Sequence, residues 1–317
     1  MKLSQIGEFG LIEEFKNILQ TKDKNVVIGI GDDTAVIKGY RKNHYLLFTE
    51  DALVQNIHFN LKNISWLQIG KKALSVNISD IAAMGGIPKF ALISIGLPQK
   101  ISVSQCKNLY QGIKKTADKY KVSILGGDTV SAKELFISIS LLGEVERKNL
   151  VTRNKAKEGD ILLVSGSLGG TILKKHYSFS PQVDLSRYLV KHFKLSSMID
   201  LSDGLASDAV KIAQKSQVGL ILFGDDVPLS SDAKKLAKKT SKAPLCHALF
   251  DGEDYELLFT VPPRSVTKLI QQVKEKLKIL ITPVGKIVNK KEGYQLYSNH
   301  KYTKLHPKGF DHFLSNT

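Results

Sequence analysis

Six aspartates stand within two residues of a glycine, serine or threonine along the chain. They are Asp33 in Gly31-Asp32-Asp33-Thr34-Ala35, Asp51 in Thr49-Glu50-Asp51, Asp80 in Asn77-Ile78-Ser79-Asp80, Asp128 in Gly126-Gly127-Asp128-Thr129, and the pair Asp200 and Asp203 in Asp200-Leu201-Ser202-Asp203-Gly204. Carboxylates without basic partners nearby in sequence repel one another unless cations or donors separate them. Oxygen donors with no histidine or cysteine alongside suit a hard cation such as Mg2+ better than zinc. Asp80 lies near the C-terminal end of an apolar helix, with Val76, Ala83 and Met84 one turn away. An unpaired charge is costly there, and the helix dipole disfavours an anion at that end. A divalent cation would answer both problems; so would an arginine, a lysine or backbone amides. Asp200-x-x-Asp203 opens a helix whose first amides and Ser202 hydroxyl suit a phosphate, although a plain N-cap uses the same residue types. Gly166-Ser167-Leu168-Gly169-Gly170 departs from G-x-G-x-x-G, so a tight turn accounts for it. His58 follows Asp51 by seven residues; a lone histidine is more often structural than a ligand.

The absences narrow the chemistry. No G-x-x-x-x-G-K-[S/T] stretch is present, so the chain is not a P-loop NTPase, and no H-R-D or D-F-G marks a protein kinase. The 317 residues allow two domains of about 150 each, and 42% hydrophobic with 24% charged residues describes an ordinary globular chain. No apolar run approaches the ~20 residues of a membrane span, and the first residues lack a signal-peptide apolar region. Cys106 and Cys246 stand apart from any ligand-spaced cluster, which predicts reduced thiols in a cytoplasmic protein. The net charge of +16 is spread over lysines such as Lys234, Lys235, Lys238 and Lys239, with no nucleic-acid-binding motif. Solvated lysine faces explain it better than a nucleic-acid partner, and a positive field still attracts phosphorylated small molecules.

The elements that must position these groups are legible as patterns. Ser65 and Gln68 form a capping box that opens a helix. Leu67, Gly70, Leu74, Asn77, Ile81 and Met84 give it a buried stripe, and Gly85, Gly86 and Pro88 end it. Leu11, Ile12, Phe15, Ile18 and Leu19 form the apolar face of an earlier helix, and 102–119 reads as another. Strands are predicted at 26–30, 45–48, 90–97, 123–125 and 135–143, so that Thr49-Glu50-Asp51 and Gly126-Gly127-Asp128 each terminate one. The charged turn at 155–160 is the expected domain boundary. Beyond it lie strands at 161–164, 218–223 and 257–261. Helices are expected after Gly170 and at 185–193, 206–215, 230–239 and 263–276.

Taken singly, none of these motifs decides function. Their order does: Gly31-Asp32-Asp33-Thr34-Ala35, Asp51-Ala52-Leu53-Val54, His58-Phe59, the 77–85 helix end, Gly126-Gly127-Asp128-Thr129, Thr152-Arg153, the 199–205 stretch, Gly252-Glu253-Asp254-Tyr255-Glu256-Leu257 and Lys308-Gly309-Phe310-Asp311-His312-Phe313. Over essentially the whole length the chain resembles the thiamine-monophosphate kinase family, within the superfamily of aminoimidazole ribonucleotide synthetase and selenophosphate synthetase. The resemblance implies an α/β (α+β) fold of two domains. Residues 1–150 would form a mixed sheet with helices that binds ATP and Mg2+ and joins two copies in a homodimer. Residues 151–317 would form an α/β domain completing the nucleotide and substrate site. The reaction would pass the γ-phosphoryl group of ATP to thiamine monophosphate. By resemblance, Asp33, Thr49, Asp51, Asp80, Asp128, Asp200 and Asp203 would hold several Mg2+ ions. Tyr110, Gly127, Asp128, Arg153 and Ser202 would contact ATP, and His58, Glu253 and Phe310 would line the thiamine monophosphate site. Asp51, Asp80, Asp128 and Arg153 form the implied catalytic set.

The residues agree with that chemistry. The acceptor is a phosphate oxygen already ionised at neutral pH, so alignment and charge neutralisation matter more than a nucleophile–base pair. Three features depart from the family pattern: Glu50 stands where threonine or serine is usual, Pro307 stands near a usual tryptophan, and the segment before Met198 lacks a proline-containing helix. Sister enzymes fit less well. Selenophosphate synthetase would want a reactive cysteine or selenocysteine near the N-terminal glycine-rich segment, and the hydrogenase-maturation relative a C-terminal cysteine. Aminoimidazole ribonucleotide synthetase matches the 252–257 and 308–313 motifs poorly. A nucleic-acid-binding protein would leave the ordered aspartates unexplained, and the retained acids argue against a catalytically dead homologue.

Overall fold

The computed structural model describes residues 2–19, 21–307, 309 and 312–313. The first part of the chain runs α1 (Leu3–Ile18), β1 (Val26–Ile28), β2 (Ala35–Lys38), β3 (His44–Val54), α2 (Trp66–Ala83), β4 (Ile87–Leu97), α3 (Val103–Tyr120), β5 (Ser123–Ser131) and β6 (Phe136–Glu146). Its strands form one sheet in the order β1-β2-β3-β6-β4-β5. Every pair in it is antiparallel except β4 with β5. Alternate strand residues such as Leu47, Leu53, Ile93, Ile95, Ile137 and Ile139 are buried on the face covered by α2 and α3.

The strand ends differ from the sequence expectation at the places where the ladder decides. Strand β3 does not stop at Phe48 but pairs with β6 along its whole length, from His44 opposite Glu146 to Val54 opposite Phe136. Thr49, Glu50 and Asp51 therefore lie mid-strand, and the period of two sends Thr49 and Asp51 to the helix-covered face and Glu50 to the open one. There Ser138 and Ser140 donate to Glu50 at 2.6 and 3.1 Å. Likewise β5 continues through Gly126-Gly127-Asp128, because β4 pairs with it as far as Ser131.

Helix α2 begins as its capping box predicts, with Ser65 and Gln68 bonded reciprocally. It approaches α3 so closely that a Cβ on Gly70 would stand 1.9 Å from the Leu109 carbonyl oxygen, and one on Gly112 2.0 Å from that of Leu67. Its buried C-terminal end leaves carbonyls in need of donors. Ser186 donates to Ala82 O, and Arg187 donates to Gly85 O and to Glu146, so the later half of the chain completes the end of this helix.

That later half contains β7 (Ile161–Ser165), α4 (Val183–His192), β8 (Ser197–Asp200), α5 (Leu205–Ser216), β9 (Gly219–Phe223), α6 (Ser231–Thr240), α7 (Pro244–Phe250), β10 (Leu257–Val261), α8 (Val266–Leu277), β11 (Ile281–Val288), β12 (Tyr294–Ser298) and β13 (Lys301–Lys304). Its sheet order is β13-β12-β9-β11-β7-β10-β8. One face packs on α5 and α7 through Leu205, Ala209, Ile212 and Leu249. The other packs on α4 and α8 through Leu185, Leu189, Leu269 and Val273. Two short 3-10 turns, Thr171–Leu173 and Lys175–Tyr177, replace the helix expected after Gly170. Helix α4 passes into β8 through 193–196 alone, which leaves no room for a further helix before Met198.

Candidate active site

The acidic residues converge where the two sheets meet. Asp33 lies on the β1–β2 loop, Asp80 on the last turn of α2, and Asp200 at the end of β8. Their carboxylate oxygens lie within 4.8 Å of one another. The neighbouring elements hold each one. Thr49 Oγ1 donates to Asp80, and Ser79 Oγ donates to Asp200. Arg153 forks onto both oxygens of Asp33, and its backbone amide donates to Asp32 at 3.3 Å. The Asp51 amide donates to Asn77 Oδ1 at 3.1 Å, which ties mid-β3 to α2.

The electrostatics are those of a site built for added positive charge. Burial, then Asp51, Asp200 and Asp33, push Asp80 well above the usual carboxylate range. Burial and then Asp33 do the same to Asp200. Asp51 is raised to about 6 by burial and by Asp203, Glu50 and Glu8. Asp32 is raised to about 6 by burial and Asp33. Burial works against the charge of Arg153, but Asp33, Asp32 and Asp200 outweigh it and hold the guanidinium charged. A set of hard carboxylate oxygens without histidine or cysteine fits Mg2+ and not a soft metal.

Asp203 sits one turn further on. It pairs with Lys211, which also binds Asp208 at 2.8 Å. The Ser202 carbonyl accepts from the Glu253 amide at 2.7 Å, and the Leu201 carbonyl from the Tyr255 amide at 2.8 Å. The 252–255 turn is thereby stacked on the Asp200–Asp203 turn. Glu253 and Tyr255 both take positive φ, 56° and 50°, a strained conformation for side chains of this kind.

This turn carries Glu253 to a second group of residues. Lys72 of α2, its side chain fully buried, donates to Glu253 Oε1 and to the His58 carbonyl oxygen. His58 Nδ1 accepts the Val54 amide at 3.0 Å. Burial, then His312 and Lys72, lower the His58 pKa to about 4. The ring is therefore neutral near pH 7, with its proton on Nε2, a single outward donor. The Tyr255 ring stacks on Phe179, centroids 4.0 Å apart.

Not every anticipated residue joins these groups. Asp128 and Gly127 lie on β5, at the sheet edge three strands from β3. At about 4.8 Å per strand that is roughly 14 Å from Asp51. Asp128 also pairs with Ser94 and so faces the open side of the sheet, opposite to Asp51. Tyr110 is on α3 and 39% exposed. Phe310 falls outside the described residues. Lys72, Asp208, Lys211 and Tyr255 were missed as site residues. Lys72 had a signal: it is eight residues before Asp80, about two helical turns, on the same face of the helix. Asp208 and Lys211 were hidden in an ordinary amphipathic pattern.

Beside the acidic cluster opens an 810 Å3 cavity. Asp32, Asp33, Glu50, Arg153, Lys211 and Thr49 line its polar side, and Phe9, Ile12, Ile37 and Val210 its apolar side.

Residues 31–145 match the family model for the AIR synthase related protein, N-terminal domain, and the two-sheet architecture is that of its fold class. The crystal structure of E. coli HypE, a hydrogenase maturation protein, has this fold with a TM-score of 0.71 over 95% of the chain and 98% of its own, at 20% identity. Nearer relatives narrow the class. The thiamine-monophosphate kinase of Aquifex aeolicus is 35% identical over 99% of this chain and 100% of its own, and that of Bacillus subtilis 35% identical over 91% and 94%. The structure of AaThiL complexed with AMPPCP and TMP superposes with a TM-score of 0.84 over 99% of both chains at 35% identity. The chain belongs to the thiamine-monophosphate kinase family.

Proposed function

We infer that this protein is an ATP-dependent kinase that transfers the γ-phosphoryl group of ATP to the phosphate of thiamine monophosphate, giving thiamine diphosphate and ADP. The observation that carries it is the convergence of Asp33, Asp80 and Asp200 beside a nucleotide-sized cavity. Members of the family bear this activity in their name, and the superposed relative holds AMPPCP and TMP.

The aspartates are the residues that would hold Mg2+, with Thr49, Asp51 and Asp203 around them. Bound there, the ions would supply the positive charge that neutralises the polyphosphate. The chain's own groups do the rest. Arg153 and Lys211 bring positive charge to the cavity for the phosphates of ATP, and its apolar side accepts the base. Ser202 stands at the turn before α5, where the first amides of a helix favour an anion. His58 Nε2–H and the Glu253 carboxylate offer one donor and one acceptor to the heterocycles of thiamine monophosphate, and Lys72 fixes both. Such transfer needs alignment and screening of charge, and no group in the site is asked to act as a strong base.

We further propose a homodimer. The open face of the first sheet exposes Phe48 by 43%, Phe90 by 42%, Leu92 by 49% and Phe136 by 37%, apolar side chains of the kind that interfaces cover. A second copy covers it, and Asp128, on that same face, serves the site of the partner. Among the described residues no helix is long and apolar enough to cross a membrane. We place the enzyme in the cytoplasm.

The test is formation of thiamine diphosphate and ADP from ATP, Mg2+ and thiamine monophosphate by the wild type and by Asp80→Asn and Asp200→Asn. Turnover by the wild type, lost in both variants while the far-ultraviolet spectrum is kept, is the expected result. Wild-type turnover retained in both would remove the cluster from the mechanism.

A further inference from the structure

The turn that carries Glu253 is clamped through its alternate residues. Asp254, 1% exposed, accepts the Gly169 amide at 3.0 and 3.2 Å on its two oxygens. Glu256 accepts from Ser165 Oγ at 2.7 Å, and from Lys175 Nζ and Gln182 Nε2 at 2.9 Å each. Lys175 stands 3.6 Å from Asp254 as well. The glycine-rich stretch after β7 closes on this pair, since a Cβ on Gly166 would lie 2.5 Å from a Glu256 carboxylate oxygen. The loop thus cradles two of the chain's own carboxylates. Between these anchors Tyr255 is forced to its left-handed φ, a cost that surrounding bonds must hold in place. Its ring lies nearly parallel to that of Phe179, at 14°.

The Tyr255 hydroxyl has no use in this clamp. The residue is 8% exposed, and the hydroxyl makes no hydrogen bond among the described residues. Among those residues only Thr34 Oγ1 and Arg187 Nε are sealed from solvent without a partner, so the unbonded Tyr255 hydroxyl keeps an opening. Burial, then Glu253, Asp51, Asp200 and Asp80, hold its pKa well above the ordinary phenol value. The hydroxyl therefore lies in the field of both the acceptor-site carboxylate and the aspartate cluster, and it remains an O–H donor. A strained, clamped residue with a free donor is the arrangement of a group pre-set for a ligand.

We propose that Tyr255 binds the acceptor phosphate, its hydroxyl donating to a phosphate oxygen of thiamine monophosphate on the side where Glu253 and the aspartate cluster meet. The proposal rests on the kinase reading given above. With His58 and Glu253 at the heterocycles, the phosphate extends from them toward the aspartates, and Tyr255 stands along that path. In the transfer, a lone pair of one acceptor oxygen forms a bond to the γ-phosphorus. The bond from that phosphorus to the β–γ bridging oxygen breaks, and its electrons leave with ADP. The Tyr255 proton stays on its own oxygen and fixes another oxygen of the acceptor, so that the attacking one is aligned.

Tyr255→Phe keeps the ring and its stack and removes only the hydroxyl. Steady-state kinetics, with calorimetric titration of thiamine monophosphate, thiamine and AMPPCP, tests the proposal. The dissociation constant and KM for thiamine monophosphate should rise roughly ten- to a hundredfold, the loss of a hydrogen bond to a charged group. Thiamine, which lacks the phosphate, and AMPPCP should bind as they do to the wild type, with the KM for ATP and the melting temperature kept. Unchanged affinity for thiamine monophosphate would overturn the proposal. So would equal weakening of thiamine, which would place the hydroxyl at the heterocycles, or of AMPPCP, which would mark a general disturbance of the site. A wild type that neither binds nor phosphorylates thiamine monophosphate would overturn the kinase reading and this proposal together. A wild type that does both, beside an equally active Tyr255→Phe, would overturn this proposal alone.

Discussion

At the scale of single residues, several buried carboxylates in and around the site are held above their ordinary pKa. Asp32 and Asp51 sit at about 6 and Asp254 at about 7, each chiefly by burial, against a reference near 3.8. A raised folded pKa means the native state binds more protons than the unfolded chain between those values. The destabilisation is therefore complete above the folded pKa and relieved as pH falls through it. Histidine 58, lowered to about 4 by burial and its cationic neighbours, works in the opposite sense below about pH 6.5, but it is outnumbered. Protein stripped of metal should melt at a higher temperature at about pH 5.5 than at about pH 7.5, and Mg2+ should narrow the gap; scanning calorimetry with and without chelator decides it. Lys72→Met removes the buried partner of Glu253. The loss should be about 2 kcal/mol in urea unfolding, below the usual figure for an enclosed pair because Glu253 is 30% exposed. Activity should fall mainly through a higher KM for thiamine monophosphate. The acidic motifs were legible because aspartates beside glycine and serine are conspicuous. Their counter-charges were not. Arg153 reaches Asp33 across 120 residues and Lys72 reaches Glu253 across 181, distances over which sequence spacing carries no information.

At the scale of elements, α2 shows what pattern reading reaches. Its cap, its stripe and its stop all follow from residue types. That Gly70 and Gly112 mark a near-contact of two helix backbones does not, since a glycine in a helix is also compatible with a kink or an accident. Gly70→Val would thrust a side chain into the Leu109 carbonyl and force α2 from α3. A loss of about 3 kcal/mol is expected in denaturant titration, at the upper end for overpacking. Strand β3 shows the converse. A carboxylate pair after a short apolar run looks like a strand end, yet the ladder with β6 carries the strand to Val54, because pairing with a neighbour outweighs local composition. The same pairing settles Glu50, whose side chain goes to the open face with Ser138 and Ser140.

At the scale of the whole molecule, Asp128 belongs to the wrong face and the far edge of its own sheet to serve its own cluster. If the partner supplies it, Asp80→Asn and Asp128→Asn protomers, each inactive alone, should regain activity when unfolded and refolded together. Random pairing gives one intact site in each mixed dimer, so about a quarter of wild-type turnover is expected. No recovery, with mixed dimers shown by mass, would mean that Asp128 acts within one chain or not at all. The resemblance of the sequence implied a homodimer, but the face of β5 on which Asp128 lies follows only from its pairing with β4.

The Ser79–Asp200 bond joins groups 121 residues apart. During synthesis at about 5–20 residues per second, Asp80 and Asp33 leave the ribosome roughly ten seconds before Asp200 does. For that interval the nascent chain carries two of the three clustered carboxylates, and the carbonyls of Ala82 and Gly85 wait for donors not yet made. The group of Asp33, Asp80 and Asp200 can therefore close only after β8 has been made. A product truncated before β8 would lack Asp200 and so the Ser79–Asp200 bond that ties α2 to the second half.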